Sequence, residues 1–312
     1  MSGFDHGGGD RRGFLKCMAW AGTGALWTVS GGLASSVGLD RAIAAPTRAA
    51  SFSFLQLSDS HVGFAKPANP DARATYREAV AKITALPTRP DFIIHTGDIT
   101  QLSKDQEFAD ADDIIGGAGL AVFHVPGEHD MLDEGGGKAF LARYGQGSRG
   151  AGWRSFDHKG VHFVGLVNVA NLKPGGMGDL GPEQLAWLAD DLAAHRSSTP
   201  IVVFAHIPLW TVYPDWGWGT DDAAQALALL RRFGSVTVLN GHIHQIMQKV
   251  EGHVAFHTAR STAFPQPAPG TAPSPGPMKV PEGQLRDVLG ITEARFVRGH
   301  APIALVDQTL AG

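Results

Sequence analysis

Carboxylate and histidine side chains gather in five short clusters, each placed where an apolar run of the chain ends. The preceding runs, 52–57, 92–95, 121–125, 201–204 and 236–239, are typical of buried strands. Open α/β folds assemble their sites at the carboxyl ends of sheet strands. Carboxylate oxygen and neutral imidazole nitrogen suit iron, manganese, zinc or nickel. The clusters are Asp59-Ser60-His61, Gly97-Asp98, Gly127-Glu128-His129-Asp130, His206 with Pro208, and Gly241-His242-Ile243-His244.

The number and spacing of these side chains predict two metal ions. Residues two apart on an extended chain share a face, so we expect Asp59 and His61 to reach one ion side by side. The same period places His242 and His244 at one edge, able to serve adjacent ions. Asp98 follows a glycine, which allows close backbone approach and leaves the carboxylate free to bridge. Because paired ions clamp the attacking and leaving oxygens of an in-line displacement, the pattern favours phosphoryl transfer.

The order and spacing of the clusters resemble the calcineurin-like metallophosphoesterase superfamily, from about Phe52 to about Met247. The family motifs are D-x-H, G-D, G-N-H-[DE], H and G-H-x-H. Two further stretches, 181–188 and 261–265, are similar to the branch that contains class III cyclic-nucleotide phosphodiesterases. The resemblance implies an α/β fold in which two mixed β-sheets pack as a sandwich flanked by helices.

The resemblance also implies two ligand sets that share one carboxylate. The expected ligands of the first ion are Asp59, His61, Asp98 and His244. The expected ligands of the second ion are Asp98, Glu128, His206 and His242. We expect iron or manganese at these positions, with zinc or nickel as alternatives.

The resemblance assigns catalytic roles to the two residues that follow position 128. His129 is expected to protonate the leaving-group oxygen as a general acid, and Asp130 to orient it. A hydroxide held by the metals is expected to attack phosphorus in line. The predicted activity is therefore that of a metal-dependent phosphoric ester hydrolase, acting on phosphodiesters, phosphomonoesters or both.

One position departs from the family pattern, because residue 128 is Glu where the family has Asn. A third carboxylate holds divalent ions more tightly but makes them weaker Lewis acids, and it repels an anionic substrate. Three interpretations stay open. Glu128 is a ligand in a variant subfamily, or it swings away and leaves the second ion weaker or water-ligated. The third is a non-catalytic or altered-specificity homologue that binds metal or phosphate.

The N-terminal residues predict export. The segment Asp10-Arg11-Arg12-Gly13-Phe14-Leu15-Lys16 resembles a twin-arginine export motif, and 17–39 is uncharged and mildly hydrophobic. Ala42-Ile43-Ala44 fits a small-x-small cleavage site. We therefore expect a signal peptide at 1–44, a phosphoesterase domain at 45–312, the twin-arginine translocase as partner, and a periplasmic or secreted product. No stable membrane span is expected after cleavage; an uncleaved anchor is the alternative.

Composition narrows the substrate class. The formal net charge is −4 at pH 7 and there is no run of Lys or Arg, which argues against long nucleic acid and favours a small phosphoester. Cys17 is the only cysteine and falls in the predicted signal, so the domain needs no disulfide framework.

The elements that must position the clusters alternate between strands and helices, which predicts an α/β class. Helical periodicity covers 71–86, 104–115, 182–195 and 221–233. A strand at 253–258 is followed by a Pro-rich surface loop at 265–281 and by a final strand at 302–306.

Some residues outside the clusters have two interpretations. The aromatic loop 209–220 either stacks on a substrate ring or packs onto the domain. His95 and Asn168 are expected in the core or holding a ligand in place.

Purple acid phosphatases carry a Tyr three residues after the bridging Asp, and here that position is Gln101. The metal-binding tyrosine of that class is therefore missing at its expected place. Three further histidines are expected in the core or supporting a ligand, rather than as ligands themselves: His124, His162 and His257.

Overall fold

The computed structural model describes residues 25–30, 33–38, 51–298 and 300–312. The described residues belong to two units, one before and one after position 50. In the first unit, β1 (Ala25–Ser30) and β2 (Leu33–Gly38) form an antiparallel hairpin. The predicted export motif and cleavage site lie outside the described residues. Among the residues that are described, no helix combines the length and apolar character needed to cross a membrane.

The second unit contains two mixed β-sheets. The five-stranded sheet has the order β13-β12-β3-β4-β5, with β3, β4 and β5 parallel. The six-stranded sheet has the order β10-β11-β9-β8-β7-β6, with β7, β8, β9 and β11 parallel. The strands are β3 (Phe52–Leu57), β4 (Phe92–His95), β5 (Ala121–His124), β6 (Arg154–His158), β7 (Val161–Gly165), β8 (Ile201–Phe204), β9 (Val236–Asn240), β10 (Gln248–Glu251), β11 (Val254–Thr258), β12 (Gly290–Val297) and β13 (His300–Thr309).

Aromatic side chains fill the space between the two sheets. The ring of Phe163 on β7 packs edge-on against Phe54 and against Phe92 of the opposite sheet, each at 5.3 Å between centroids. Phe204 and Leu239 complete this inner layer from the six-stranded sheet. The two sheets therefore pack face to face, as the resemblance implied.

Helices cover the outer face of each sheet, which explains why the strands are apolar on both faces. The helices are α1 (Ala72–Thr84), α2 (Asp105–Gly116), α3 (Lys138–Tyr144), α4 (Pro182–Ala193), α5 (Ala223–Leu230) and α6 (Leu285–Val288). Leu55 and Leu57 of β3 pack under Tyr76 of α1 and Phe108 of α2. On the other sheet, Leu188 of α4 and Leu230 of α5 are among the residues that cover the outer face.

Local sequence explains where α1 and α4 begin. The Asp71 side chain accepts a hydrogen bond from the Ala74 N–H and so caps α1. Pro182 is the first residue of α4, after Gly181 with φ 77°. Both helices lie where periodicity predicted them.

The expected fold is confirmed, but helices α3 and α6 and several strands were not predicted. Strands β6, β10 and β12 were not predicted, because their segments mix charged and apolar residues without a continuous apolar run. The final strand is longer than predicted, His300–Thr309. The Pro-rich segment 265–281 has neither helix nor strand.

Candidate metal centre

All seven predicted metal ligands lie on loops that leave the carboxyl ends of parallel strands. The two sheets are joined at this edge, since Gln56 at the end of β3 donates to Thr96 Oγ1 and to the carbonyl of Asn240 at the end of β9. The loops carry Asp59 and His61 after β3, Asp98 after β4, Glu128 after β5, His206 after β8, and His242 and His244 after β9.

The backbone at most of these ligands is left-handed rather than extended. Left-handed φ is costly for residues other than glycine and is found mainly where the surrounding structure enforces it. The side chains of the Asp-x-His and His-x-His pairs do converge as predicted. The predicted cause, a shared face of an extended chain, is wrong. Tight turns, not strand periodicity, converge the side chains. The φ values are 54° at Asp59, 40° at His61, 51° at Asp98, 70° at His242 and 51° at His244.

Two glycines allow the ligand loops to approach each other. A Cβ on Gly97, whose φ is 96°, would lie 2.6 Å from Nδ1 of His206. A Cβ on Gly127 would overlap the carboxylate of Asp98. The expected close backbone approach before Asp98 is therefore present.

The first ligand group brings three atoms with lone pairs together. Nε2 of His244 lies 3.2 Å from Oδ1 of Asp59 and 3.3 Å from Nε2 of His61. Each ring donates from its other nitrogen: Nδ1 of His61 to Oε1 of Gln101 at 3.1 Å, and Nδ1 of His244 to the carbonyl of Phe264 at 2.5 Å. A neutral imidazole that donates from Nδ1 has its lone pair on Nε2. These facing lone pairs repel one another unless a cation lies between them.

The separations match a shared metal ion. Zinc binds imidazole nitrogen and carboxylate oxygen at about 2.0–2.2 Å, which places neighbouring ligand atoms about 3–3.5 Å apart. The contacts among Asp59, His61 and His244 fall in this range.

The second ligand group leaves buried polar atoms without hydrogen-bond partners. Nε2 of His206 lies 2.9 Å from Oε2 of Glu128, and Nδ1 of His242 lies 3.0 Å from Oε1 of the same carboxylate. Nδ1 of His206 donates to the carbonyl of Thr96 at 2.7 Å, so its Nε2 carries the lone pair. Among the described residues, Oε2 of Glu128, Nε2 of His206 and both nitrogens of His242 lack a hydrogen-bond partner. Because such atoms are costly when buried, this group also fits a cation.

Asp98 stands between the two groups. Its Oδ2 lies 3.4 Å from Nε2 of His61 and 3.5 Å from Nε2 of His206. Its Oδ1 accepts a hydrogen bond from the His129 N–H at 2.9 Å, which fixes the carboxylate. The position fits a carboxylate that bridges two ions.

The electrostatics of the first group favour metal binding. Burial acts to raise the pKa of Asp59, but the neighbouring His244 and His206 outweigh it and hold that pKa well below its usual value. Burial lowers the pKa of His61 to about 3. An ionised carboxylate and a neutral imidazole are the protonation states that bind metal ions.

In the second group the carboxylate and the imidazole also favour a positive charge between them. Burial opposes ionisation of Glu128, yet His242 and His206 hold its pKa well below the usual value. Burial opposes protonation of His206, yet Asp98 and Glu128 raise its pKa well above the usual value. The charge that stabilises a proton on His206 would equally stabilise a metal ion there.

Glu128 points into the second group rather than away from it. Its two oxygens each contact a different histidine, His206 and His242. This geometry argues against the interpretation in which Glu128 swings away, and it fits both a ligand in an enzyme and a ligand in a non-catalytic homologue.

The structure changes the expected role of Asp130. Its buried carboxylate accepts hydrogen bonds from the N–H groups of Ile99, Thr100 and Gly127 and from the Thr100 hydroxyl. No hydrogen bond of the described residues joins it to the ring of His129. It therefore ties the loop after β4 to the loop after β5, so any orienting effect on His129 acts through the backbone of these loops and not through a hydrogen bond to the ring.

Gln101 orients the rings instead, a role that sequence reasoning missed. Nδ1 of His129 donates to the Gln101 carbonyl at 2.7 Å, while the Gln101 side chain accepts from Nδ1 of His61 at 3.1 Å. The same residue thus holds one predicted ligand and the predicted general acid. Its position three residues after Asp98 was the available signal, but sequence gave no reason for a glutamine there.

Residues 261–265 hold the first ligand loop. The Ser261 hydroxyl donates to the Asp59 carbonyl at 2.7 Å and accepts from the N–H groups of Ala263 and Phe264. Since the Phe264 carbonyl receives Nδ1 of His244, this short stretch fixes one ligand loop and one ligand ring.

His95 and Asn168 support the ligand loops without reaching the metal groups. Nδ1 of His95 accepts from the Gly97 N–H, and its Nε2 lies 3.0 Å from the Ser60 hydroxyl. Asn168 bonds to both backbone groups of Ile207, the residue after His206.

The aromatic loop 209–220 packs mainly onto the domain. Trp218 is fully buried, and Trp210 packs against Phe256 of β11 at 5.0 Å between ring centroids. Tyr213 and Trp216 are half-buried and pack edge-on against each other at 5.1 Å. Trp210 is half-buried as well, but its ring is held against the domain, whereas Tyr213 and Trp216 pack mainly against each other.

Comparison with known proteins identifies the family and supports the fold. A family profile described as calcineurin-like phosphoesterase matches residues 52–246, which is more than half of the chain. A search of curated proteins found no match.

Solved structures share the fold at low sequence identity. A dimetal phosphatase from Danio rerio is 14% identical with a TM-score of 0.64, covering 83% of this chain and 96% of that one. A purple acid phosphatase from yellow lupin is 11% identical with a TM-score of 0.57, covering 84% and 52%. GAP50, the anchor in the inner membrane complex of Plasmodium, is 14% identical with a TM-score of 0.54, covering 84% and 85%. The fold, the family profile and the paired groups of candidate metal ligands agree, and the chain belongs to the calcineurin-like phosphoesterase family.

Proposed function

We propose that this protein is an exported phosphoesterase with two metal ions, hydrolysing phosphodiesters, phosphomonoesters or both. The observation that carries the proposal is the position of Asp98, whose Oδ2 lies within 3.5 Å of a ligand nitrogen in each group. The proposed ligands are carboxylate oxygens and imidazole nitrogens. This donor set fits iron or manganese, with zinc or nickel as alternatives.

The proposed ligands divide between the two ions and share one bridging carboxylate. The first ion is held by Asp59, His61, Asp98 and His244, and the second by Asp98, Glu128, His206 and His242. When bound, such a pair lowers the pKa of water and stabilises charge on phosphoryl oxygens.

His129 is the proposed general acid. Its ring lies against that of the ligand His61, with 4.8 Å between centroids, and its backbone N–H bonds to Asp98. Because Nδ1 donates to the Gln101 carbonyl, Nε2 is the nitrogen that can release a proton to a departing oxygen. The role of Asp130 in this scheme is to hold the two loops together.

Export and substrate class follow from sequence features. The twin-arginine motif supports a periplasmic or secreted enzyme, with the translocase as its partner during export. That location favours scavenging of phosphate or remodelling of envelope phosphoesters over intracellular cyclic-nucleotide signalling.

Hydrolysis of bis(p-nitrophenyl) phosphate and p-nitrophenyl phosphate by the purified full chain tests the proposal. We expect turnover that a chelator abolishes and that Mn²⁺ or Fe²⁺ restores. Glu128→Asn should lower metal affinity and turnover, because the shorter neutral side chain no longer spans His206 and His242. Glu134→Gln removes a charge from an exposed residue of the following loop and should change neither.

The opposite result would identify a non-catalytic homologue. A metal-loaded native protein without turnover on either ester, together with activity in the Glu128→Asn variant, would show that Glu128 suppresses hydrolysis. Metal binding without turnover in both proteins would also overturn the hydrolase assignment.

A further inference from the structure

A second group of metal-binding side chains lies away from the dinuclear centre. Asp157 on β6 and His162 on β7 are direct cross-strand partners. His195 follows the C-terminal end of α4, and Asp191 lies in its last turn. We call Asp157, His162, Asp191 and His195 the hairpin cluster. His162 is near the start of β7, whereas the dinuclear centre lies beyond the carboxyl ends of the strands parallel to it.

Three members of the hairpin cluster offer ligand atoms to one point. Oδ1 of Asp157 lies 3.0 Å from Nδ1 of His162. The rings of His162 and His195 are 3.7 Å apart between centroids, tilted by 32°. One ligand atom from each of the three residues lies within 4.8 Å of the other two. Small side-chain rotations would therefore place all three around a single ion.

The fourth member orients the buried ring. Oδ2 of Asp191 lies 2.8 Å from Nε2 of His162, and Oδ1 of Asp191 accepts a hydrogen bond from the Ser155 hydroxyl. A histidine that binds metal almost always donates its other N–H to a carboxylate or carbonyl, which fixes the tautomer. Donation from Nε2 to Asp191 leaves the lone pair on Nδ1, facing the Asp157 carboxylate. Two facing lone pairs at 3.0 Å are unfavourable unless a proton or a metal ion lies between them.

Burial makes this cluster rigid on one side and accessible on the other. The side chain of His162 is 3% exposed and that of Asp191 is 15% exposed, whereas that of Asp157 is 68% exposed. The outer carboxylate can therefore close over an ion that enters from solvent, while the inner ring is already in place.

We propose that the hairpin cluster binds one divalent transition-metal ion through Asp157, Nδ1 of His162 and His195, with Asp191 as a positioning residue. Two imidazoles and one carboxylate form a donor set that suits zinc, with water as a fourth ligand. The ion would join the β6–β7 hairpin to the C-terminal end of α4. The inference is independent of the phosphoesterase activity, because it uses none of the residues of the dinuclear centre.

Zinc titration of the metal-stripped full chain tests this proposal, because the number of ions bound can be compared between native and variant proteins. The native protein should bind one more zinc ion than Asp157→Asn or His195→Ala, whatever the dinuclear centre holds. Asp191→Asn should keep the site but weaken its affinity by about 10–100-fold, as expected for a residue that orients a ligand. His253→Ala, an exposed histidine outside the cluster, should leave the count unchanged.

A spectroscopic measurement distinguishes an ion from a shared proton. In ¹⁵N-histidine NMR spectra, zinc should shift Nδ1 of His162 to the position of a metal-bound nitrogen while Nε2 stays protonated. Equal zinc counts in the native protein and both ligand variants, or a His162 ring that stays doubly protonated at saturating zinc, would overturn the proposal. The second result would identify the cluster as an ion triad of one imidazolium and two carboxylates.

Discussion

At the scale of single residues, hydrogen bonds to the far side of each ring determine which histidine nitrogens can bind metal. Three of the ligand rings give their Nδ1 proton to an acceptor, which leaves Nε2 free to face the carboxylates. The acceptors are Gln101, the Thr96 carbonyl and the Phe264 carbonyl. Only the glutamine can be removed by substitution without changing the backbone.

Gln101→Leu should therefore weaken metal binding while leaving every ligand in place. We expect about a 10–100-fold rise in the metal dissociation constant, because His61 loses the acceptor that fixes its tautomer. Calorimetric titration of the metal-stripped protein measures it, and Gln106→Leu on the exposed face of α2 is the matched control. An unchanged dissociation constant in Gln101→Leu would show that Gln101 does not position His61.

Removal of the proposed general acid should depend on the leaving group. His129→Ala should lose about 10²–10⁴-fold in kcat on an alkyl phosphoester, whose leaving oxygen needs a proton, and far less on a p-nitrophenyl ester. Steady-state kinetics of both substrates with the same metal-loaded protein measure this difference. Equal losses on the two esters would refute the assignment, and His253→Ala serves as the histidine control.

At the scale of elements, apolar runs located the strands that carry the site, but local sequence could not predict the turns that follow them. Each strand that precedes a ligand loop formed where an apolar run stood; the ligand loops begin after Leu57, His95, His124, Phe204 and Asn240. The left-handed backbone of the ligands depends on contacts between loops that are far apart in sequence. The same holds for Asp130, whose hydrogen-bond partners come from another loop. Strand β12 was missed because Glu293 and Arg295 interrupt its apolar pattern, and they bond to each other.

A stack of aromatic rings beside β4 and β5 should make the domain sensitive to acid. His124 lies between His95 and Tyr144, with ring centroids at 5.9 Å and 4.0 Å. Burial lowers the pKa of His124 well below its usual value and that of His95 to about 4. As pH falls below about 6.5, the unfolded state therefore binds protons before the folded state does, and the free energy of unfolding decreases.

His124→Phe keeps an aromatic ring in the stack but removes one of the two histidines that bind a proton more weakly in the folded state. Below pH 6.5 its free energy of unfolding should fall less steeply than that of the native protein, by up to about 1.4 kcal/mol per pH unit. Urea unfolding of both metal-stripped proteins between pH 6.5 and 4.5 measures the two slopes. Parallel slopes would mean that His124 titrates alike in the folded and unfolded states.

At the scale of the whole molecule, the site exists because two mixed sheets meet at one edge. One sheet supplies Asp59, His61, Asp98 and Glu128, and the other supplies His206, His242 and His244. Neither sheet alone carries either of the two proposed ligand sets, since Asp59 and His61 join His244 in the first and Glu128 joins His206 and His242 in the second. Metal binding should therefore stabilise the sandwich as a unit.

The route of export is a prediction about the whole chain. Replacement of Arg11 and Arg12 by Lys should leave the protein in the cytoplasm of a bacterial host at full length, while the native chain reaches the periplasm and begins near Ala45. Cell fractionation shows which compartment holds the protein, and N-terminal sequencing shows where the chain begins. Arg41→Lys, outside the motif, should be exported normally, and export of the double variant would contradict the twin-arginine assignment.

Electron paramagnetic resonance of the Mn²⁺-loaded protein tests the dinuclear centre most directly, because two bridged ions couple magnetically whereas separate ions do not. We predict a coupled multiline spectrum in the native protein and its loss in Asp98→Ala, the variant without the bridging carboxylate. A spectrum of isolated Mn²⁺ ions only in the native protein, or a coupled spectrum that survives Asp98→Ala, would contradict the account.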